Sequence, residues 1–228
     1  MTEGIPPALR DVVERHEGGR PRGTIDVLAG VLRDALVGGV FEPGSRLAES
    51  PLAELLGVSR NTLREVLRVL EVERLVVREP FRGVFVRRLG PADVADVYAV
   101  RRLIEVSAVR AAADADPAAV AALRSVVDSA RAALAAGDVT ALGTSDLRFH
   151  AALTALSGSD RLAEFMNRVN AELRLAFGAV DDPLAFHRPY VDRNDALCTL
   201  IERGRFDEAA DELDRYLREA EVDLHTRM

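Results

Sequence analysis

Cysteine is almost absent from this chain. Cys198 stands alone, which excludes an internal disulfide framework, and its place on an apolar helix stripe reads as core packing rather than redox sensing. Lysine is missing altogether. All 30 basic residues are arginine, and with so much alanine this reads as a GC-rich coding sequence and points to no function. No apolar run is long enough to cross a bilayer, and no charged leader with an apolar core precedes the first helical pattern, so a cytoplasmic location without a membrane partner is expected. There is no nucleophile–base pair, no glycine-rich phosphate loop and no HExxH-like helix. No tandem repeat or low-complexity tract appears beyond the alanine-rich stretch 108–136. What is present is an ordinary globular composition, 48% hydrophobic over 228 residues, enough for one or two domains.

The net charge of −7 argues against a nucleic-acid partner until it is divided by position. Residues 24–90 hold 10 arginines against 9 acidic residues, whereas residues 91–228 hold 16 against 24. The acidity belongs to the second half. In the first half, affinity for DNA would depend on the clustering of Arg60, Arg64, Arg68, Arg82, Arg87 and Arg88, and on dimerisation.

The strongest local signal runs from Gly57 to Leu70. Leu63, Val66, Leu67 and Leu70 follow the i, i+3, i+4, i+7 rule of an inward helix face. Arg60, Arg64 and Arg68, four apart, project from a neighbouring face. Ser59 is suited to cap this helix by accepting from an early amide. A shorter helical pattern with Leu52, Leu55 and Leu56 precedes it, and Gly57 supplies the turn. Helix, glycine turn and a second helix with Arg, Asn and Thr near its start is the layout of a DNA-reading helix-turn-helix. Upstream, Ile25, Leu28, Leu32, Ala35 and Leu36 mark another amphipathic helix, closed by Gly38-Gly39 and Pro43-Gly44. Downstream, Leu75-Val76-Val77 and Val84-Phe85-Val86 read as two strands of a hairpin with a basic tip, the wing of a winged helix.

These patterns divide the chain into a mobile tail over residues 1–23, a winged helix-turn-helix over 24–89, and an all-α remainder over 90–228. The tail assignment rests on Pro6-Pro7, Gly18-Gly19 and Pro21. After the Gly90-Pro91 break, six helical segments are predicted at 92–115, 117–136, 138–157, 159–178, 185–203 and 205–226, with Asp116, Asp138 and Ser159 as caps. Short connections make neighbouring helices antiparallel. The fold class is therefore mostly α: a winged helix-turn-helix followed by an antiparallel helical bundle.

Four of the bundle helices carry polar residues inside an apolar stripe. Arg101 lies among Val94, Val97, Tyr98, Ile104 and Ala108. Asp146 and His150 share a face with Leu142, Phe149, Leu153 and Leu156. Asn194 is surrounded by Val191, Leu197, Cys198 and Ile201, and Tyr216 by Phe206, Ala209, Leu213, Leu217 and Ala220. A buried arginine needs an anion. Glu105, four residues on, can supply it structurally, and an acidic ligand held bidentately can supply it functionally. Five such residues converging from four helices favour a ligand pocket. Asp146 and His150 also have the spacing of a two-ligand metal clip, with a plain i, i+4 carboxylate–histidine hydrogen bond as the simpler alternative. His187 and His225 fall outside the stripes that hold Asn194 and Tyr216, so no third ligand is assembled from them.

Over residues 24–226 the chain resembles the GntR-type transcription regulators, in the FadR-like branch whose second domain is the FCD ligand-binding bundle of the six-helix, VanR-like type. The matching runs are Phe41-Glu42-Pro43-Gly44-Ser45-Arg46-Leu47, Leu52-Ala53-Glu54-Leu55-Leu56-Gly57-Val58-Ser59-Arg60, Leu63-Arg64-Glu65-Val66-Leu67, and Arg82-Gly83 in the wing. The family usually has Pro-Val at Thr62-Leu63 and Gly at Arg74. In the second half, Asp146-Leu147-Arg148-Phe149-His150 followed by Leu156-Ser157-Gly158 matches the FCD signature, as does Arg101 with Glu105. The resemblance implies a homodimer that reads a palindromic operator. Ser59, Arg60, Asn61, Thr62 and Arg64 match contacting positions of the recognition helix, and Arg46, Arg82 and Gly83 match or neighbour backbone- and wing-contacting ones. Arginine is the best bidentate reader of guanine, which singles out Arg60 or Arg64 for base contact.

For the bundle, the resemblance implies a small effector, an organic acid, met by Arg101. It also implies a divalent metal, zinc or nickel, on Asp146 and His150, which many members complete with two more histidines. Asn194 and Tyr216 stand in those places, both poor ligands for such ions. The expectation is thus an incomplete metal site, with Arg101, Asp146, His150, Asn194 and Tyr216 as ligand-binding groups. A ligand-responsive regulator, most often a repressor, is the leading expectation. A constitutive DNA-binding protein with a structural bundle and a metal-dependent enzyme using Asp146 and His150 are the alternatives.

Overall fold

A computed structural model describes residues 6–15 and 25–228. The chain divides into two compact units, up to Arg88 and from Leu89 onward.

The first unit contains helices α1 (Pro7–Arg15), α2 (Ile25–Val37), α3 (Glu49–Leu56) and α4 (Arg60–Val72), with strands β1 (Arg46–Leu47), β2 (Val76–Glu79) and β3 (Gly83–Val86). The strands form one antiparallel sheet in the order β1-β3-β2. Leu28, Leu32, Leu52, Leu56, Leu63, Leu67 and Leu70, with Val84 and Val86 from the sheet, are buried, so three helices and a wing close one small core. Ser59 caps α4, its hydroxyl accepting from the Thr62 amide at 3.1 Å. Gly57, at φ 67, ends α3 in the left-handed conformation that a tight helix-turn-helix requires. Arg74 takes a similar backbone, φ 59, which gives a physical reason for the glycine usual there. Arg33 of α2 forms a bidentate pair with Glu73 at 2.7 and 2.6 Å, and so ties α2 to the end of α4.

The tail expected over residues 1–23 is corrected across Pro7–Arg15, which is helical. Leu9, Val12 and Val13 lie on one face of α1 and are buried, and α1 packs on α2. The spacing 9, 12, 13 is that of an amphipathic helix, and Pro7 sits at the first helical position, where its missing N–H is harmless. The rest of the predicted tail, residues 1–5 and 16–23, lies outside the described residues.

The second unit consists of α5 (Pro91–Arg110), a short 3₁₀ turn (Ala112–Asp114), α6 (Pro117–Ala136), α7 (Val139–Ala155), α8 (Asp160–Phe177), α9 (Pro183–Glu202) and α10 (Phe206–Arg227). The first predicted segment ends five residues early. Pro117 biases Asp116 away from helix, and the Asp116 carboxylate instead caps α6 by accepting from the Ala118 amide at 2.8 Å. Asp138 and Ser159 cap α7 and α8 in the same way, through the Ala141 and Leu162 amides. α7 packs against α5, α6, α8 and α9, so its inward side chains meet those of several neighbours.

Candidate functional site

Helices α3 and α4, strand β1 and the wing meet at a cleft of about 590 Å³ lined by Arg46, Ser50, Arg60, Arg64 and Gly83 among others. β1 brings Arg46 beside the wing, opposite Phe85. The guanidinium then lies over Gly83, where a Cβ would sit 3.1 Å from Arg46 Nε. Four of the residues singled out in the sequence therefore share one surface. Asn61 is exposed on the first turn of α4 outside that lining. Ser59 and Thr62 bond each other through their hydroxyls at 2.9 Å, so the cap occupies both. Arg64 is held by Glu49 at 3.0 Å, and Arg82 pairs with Glu79 while its guanidinium stands 5.3 Å from the Phe85 ring. Glu49, which the sequence reading passed over, is thus the acidic group that aims Arg64, and it also faces Arg78 at 3.8 Å.

The second site is inside the helical bundle. Arg101 on α5 is 1% exposed, and its Nε donates to Glu105 Oε1 at 2.8 Å. The other Glu105 oxygen meets His150 Nδ1 at 2.6 Å. Burial works against the Glu105 charge, but Arg101 and His150 outweigh it and hold the carboxyl below its ordinary value. With Nδ1 turned to the Glu105 carboxylate, Nε2 is the ring nitrogen left for a second partner. Nε2 faces the Tyr216 hydroxyl at 3.2 Å. The same hydroxyl donates to Asp146 Oδ1 at 3.4 Å, so Tyr216 links the histidine to the carboxylate. Burial and the nearby Asp146 push the Tyr216 pKa well up, so the phenol keeps its proton. Asn194 donates to Asp146 Oδ1 at 3.3 Å. The Arg101 guanidinium also stacks over Tyr98, 4.9 Å from the ring centre.

The structure thus brings all five interior residues of the sequence reading into one network, with two differences. Asp146 and His150 do not hydrogen-bond, since Oδ1 and Nε2 are 4.0 Å apart and Tyr216 stands between them. His150's carboxylate partner is Glu105, 45 positions away. His187, which the sequence reading set outside the stripe of Asn194, lies on it. His187, Tyr190, Val191 and Asn194 are all buried on α9, with the i, i+3, i+4, i+7 spacing as the overlooked signal.

The network leaves specific atoms unsatisfied. Arg101 Nη2, Asn194 Oδ1 and His187 Nδ1 are buried without a hydrogen-bond partner. Buried polar atoms are seldom left so, and these three mark where the polar interior is incompletely paired. For a transition metal the donors fit poorly. His150 and Asp146 are the two strong ligands, and among the described residues no group of three or more His, Cys, Asp or Glu side chains is placed to hold an ion.

Fold and site together define a two-unit protein: a winged helix-turn-helix joined in sequence to a helical bundle with a polar interior. The model of bacterial regulatory proteins of the gntR family matches residues 24–86, and that of the FCD domain matches residues 96–219. The chain is 37% identical to a GntR transcriptional regulator from Rhodococcus sp. RHA1, with a TM-score of 0.84 over 90% of this chain and 98% of that one. It shares the fold of E. coli McbR/YncC, with 20% identity and a TM-score of 0.76 over 89% of this chain and 97% of that one. It also shares the fold of Lar from Listeria monocytogenes, with 14% identity and a TM-score of 0.62 over 92% and 100%. A comparison with curated proteins gives no match. The chain belongs to the GntR-type transcriptional regulators that carry an FCD effector-binding domain. This is a family of DNA-binding regulators and not of enzymes. No helix among the described residues is long and apolar enough to cross a membrane.

Proposed function

We propose that the chain is a ligand-responsive repressor that binds a palindromic operator as a homodimer and is modulated by a small carboxylate-bearing metabolite held in the bundle. Arg60 or Arg64 is assigned to base contact, Arg46 and the Arg82-Gly83 wing to the backbone and wing contacts, and Ser59, Asn61 and Thr62 to the bases and phosphates at the start of α4. The observation that carries the effector reading is Arg101. Its Nε is fixed by Glu105 while its Nη2, fully buried, has no partner, so one edge of a rigid cation is aimed and still available. A carboxylate is the group whose geometry suits that edge. His150, Asn194, Tyr216 and Asp146 would order the rest of the ligand. An effector acts by favouring one separation of the two recognition helices, since half-sites must match that separation.

The test is fluorescence anisotropy with a duplex selected by the protein from a randomised library, titrated with a panel of organic acids. At least one acid should weaken DNA binding in the wild type and fail to do so in Arg101→Gln, whose DNA affinity without ligand stays unchanged. If no acid changes DNA affinity, the effector reading fails and the bundle is a structural core for a constitutive DNA binder.

A further inference from the structure

Phe81 stands at the tip of the wing, between β2 and β3, and at 109% it is the most exposed large apolar side chain among the described residues. Its backbone is unusual as well. The Arg82 amide donates to the Glu79 carbonyl at 3.2 Å and closes a four-residue turn with Pro80 second and Phe81 third. Proline holds the second position at negative φ, and Phe81 takes φ 62, which makes this a type II turn. The third position of that turn suits glycine or asparagine, and a bulky side chain there is strained. Phe81 and Arg74 are the two non-glycine residues with positive φ among those described. At full exposure the Phe81 ring buries no surface that could offset the strain. Strain kept at an exposed aromatic points to a contact made outside the chain.

The surroundings of Phe81 indicate which contact. Gly83 pairs with Glu79 across the hairpin and lines the same cleft as Arg46, Arg60 and Arg64. The tip formed by Pro80, Phe81 and Arg82 therefore begins where the wing side of the cleft ends. Three arginines along that cleft make it a path for a phosphate strand. The charge of Glu79 at the base of the tip is met by Arg82, which is exposed beside Phe81. In a duplex, a phosphate strand separates the major groove from the minor groove. With α4 in the major groove and that strand in the cleft, the tip beyond Gly83 falls at the neighbouring minor groove.

We propose that Phe81 is an apolar wedge that enters the minor groove beside each half-site, partly unstacks one base step and bends the duplex toward the major groove. Insertion buries a ring that is bare in the free protein, and the steps that unstack most readily, TA and CA/TG, accept it at the lowest cost. Phe81 thus selects sequence at a position outside the reach of α4. This rests on the reading of the wing as a DNA-contacting element given above.

The experiment compares the full chain with its Phe81→Gly variant. Each selects duplexes from one randomised library, and the selected pools are sequenced. The wild type should enrich a TA or CA/TG step flanking the bases read by α4. Phe81→Gly should lose that preference and keep the inner bases. On the wild-type duplex the variant should bind about tenfold more weakly, the order expected for burial of one phenylalanine. The bend, followed by energy transfer between dyes at the duplex ends, should shrink with it. The melting temperature of Phe81→Gly should not fall, since glycine tolerates the turn. Phe81→Leu, which keeps an apolar wedge, should restore most of the bend. Equal affinity, bend and step preference in wild type and Phe81→Gly overturn the wedge and leave the arginine contacts of the wing in place. Weaker binding accompanied by a lower melting temperature assigns Phe81 to folding and overturns it as well. If the wild type enriches no sequence, the wedge and the operator reading fail together.

Discussion

Glu105 is the residue on which the bundle interior turns. Its two oxygens serve Arg101 and His150, and it is completely buried. Removing one partner from a buried charged pair costs about 3–5 kcal/mol, because the remaining charge is stranded. Glu105→Ala should therefore lower the stability of the bundle's urea transition by about that amount. A loss near zero would mean that water already solvates Arg101. His187 makes a second prediction at this scale. Burial, assisted by the Arg174 charge and resisted by Asp146, lowers its pKa in the folded chain. The unfolded chain then takes the proton first, near pH 6.5. Stability from this group is fully present above that pH and is lost as pH falls from there through the folded value. The melting temperature should drop between pH 7.5 and 5.5, and the drop should be smaller in His187→Gln. An equal drop in both proteins would place the proton uptake elsewhere.

Helix α4 is the element whose role is most directly testable. Arg60 is exposed, lines the cleft with Arg46 and Arg64, and forms no ion pair among the described residues. Arg60→Ala should cost about 1–3 kcal/mol in binding to a selected duplex, with the helical content unchanged. A fall in helical content would assign Arg60 to folding instead. This helix was legible in the sequence because its two faces differ so sharply and because Ser59 ends it visibly. Asp116, Asp138 and Ser159 likewise announced the starts of three bundle helices. β1 was not legible, since two residues carry no periodicity and Arg46-Leu47 is a strand only because β3 is there to pair with it. α1 was obscured by the prolines and glycines around it, although Leu9, Val12 and Val13 had the spacing. In the bundle, Arg101, Asp146, His150, Asn194 and Tyr216 stood out as polar interruptions of apolar stripes. Glu105 was seen only as a partner for Arg101, because its contact with His150 depends on how α5 meets α7.

At the scale of the whole molecule, the homodimer proposal has its own chemistry. Leu103 on α5 is 74% exposed, and on α8, which packs against α5, Leu162 and Phe165 are exposed at 36% and 46%. Large apolar side chains left outside on two neighbouring helices suit a self-complementary contact with a second copy. Sedimentation should find a dimer for the wild type and a shift toward monomer in Leu103→Asp combined with Phe165→Asp. A dimer that persists in the double variant would place the interface on other helices. Arg46 and Leu47 find their sheet partners only in Phe85 and Val84, about 40 residues later in the chain. The ribosome thus delivers all of α2, α3 and α4 before β1 has anything to pair with. Until β3 emerges, Arg46 has no Gly83 to rest on, so a nascent chain can carry a finished α4 and still lack the assembled surface around it.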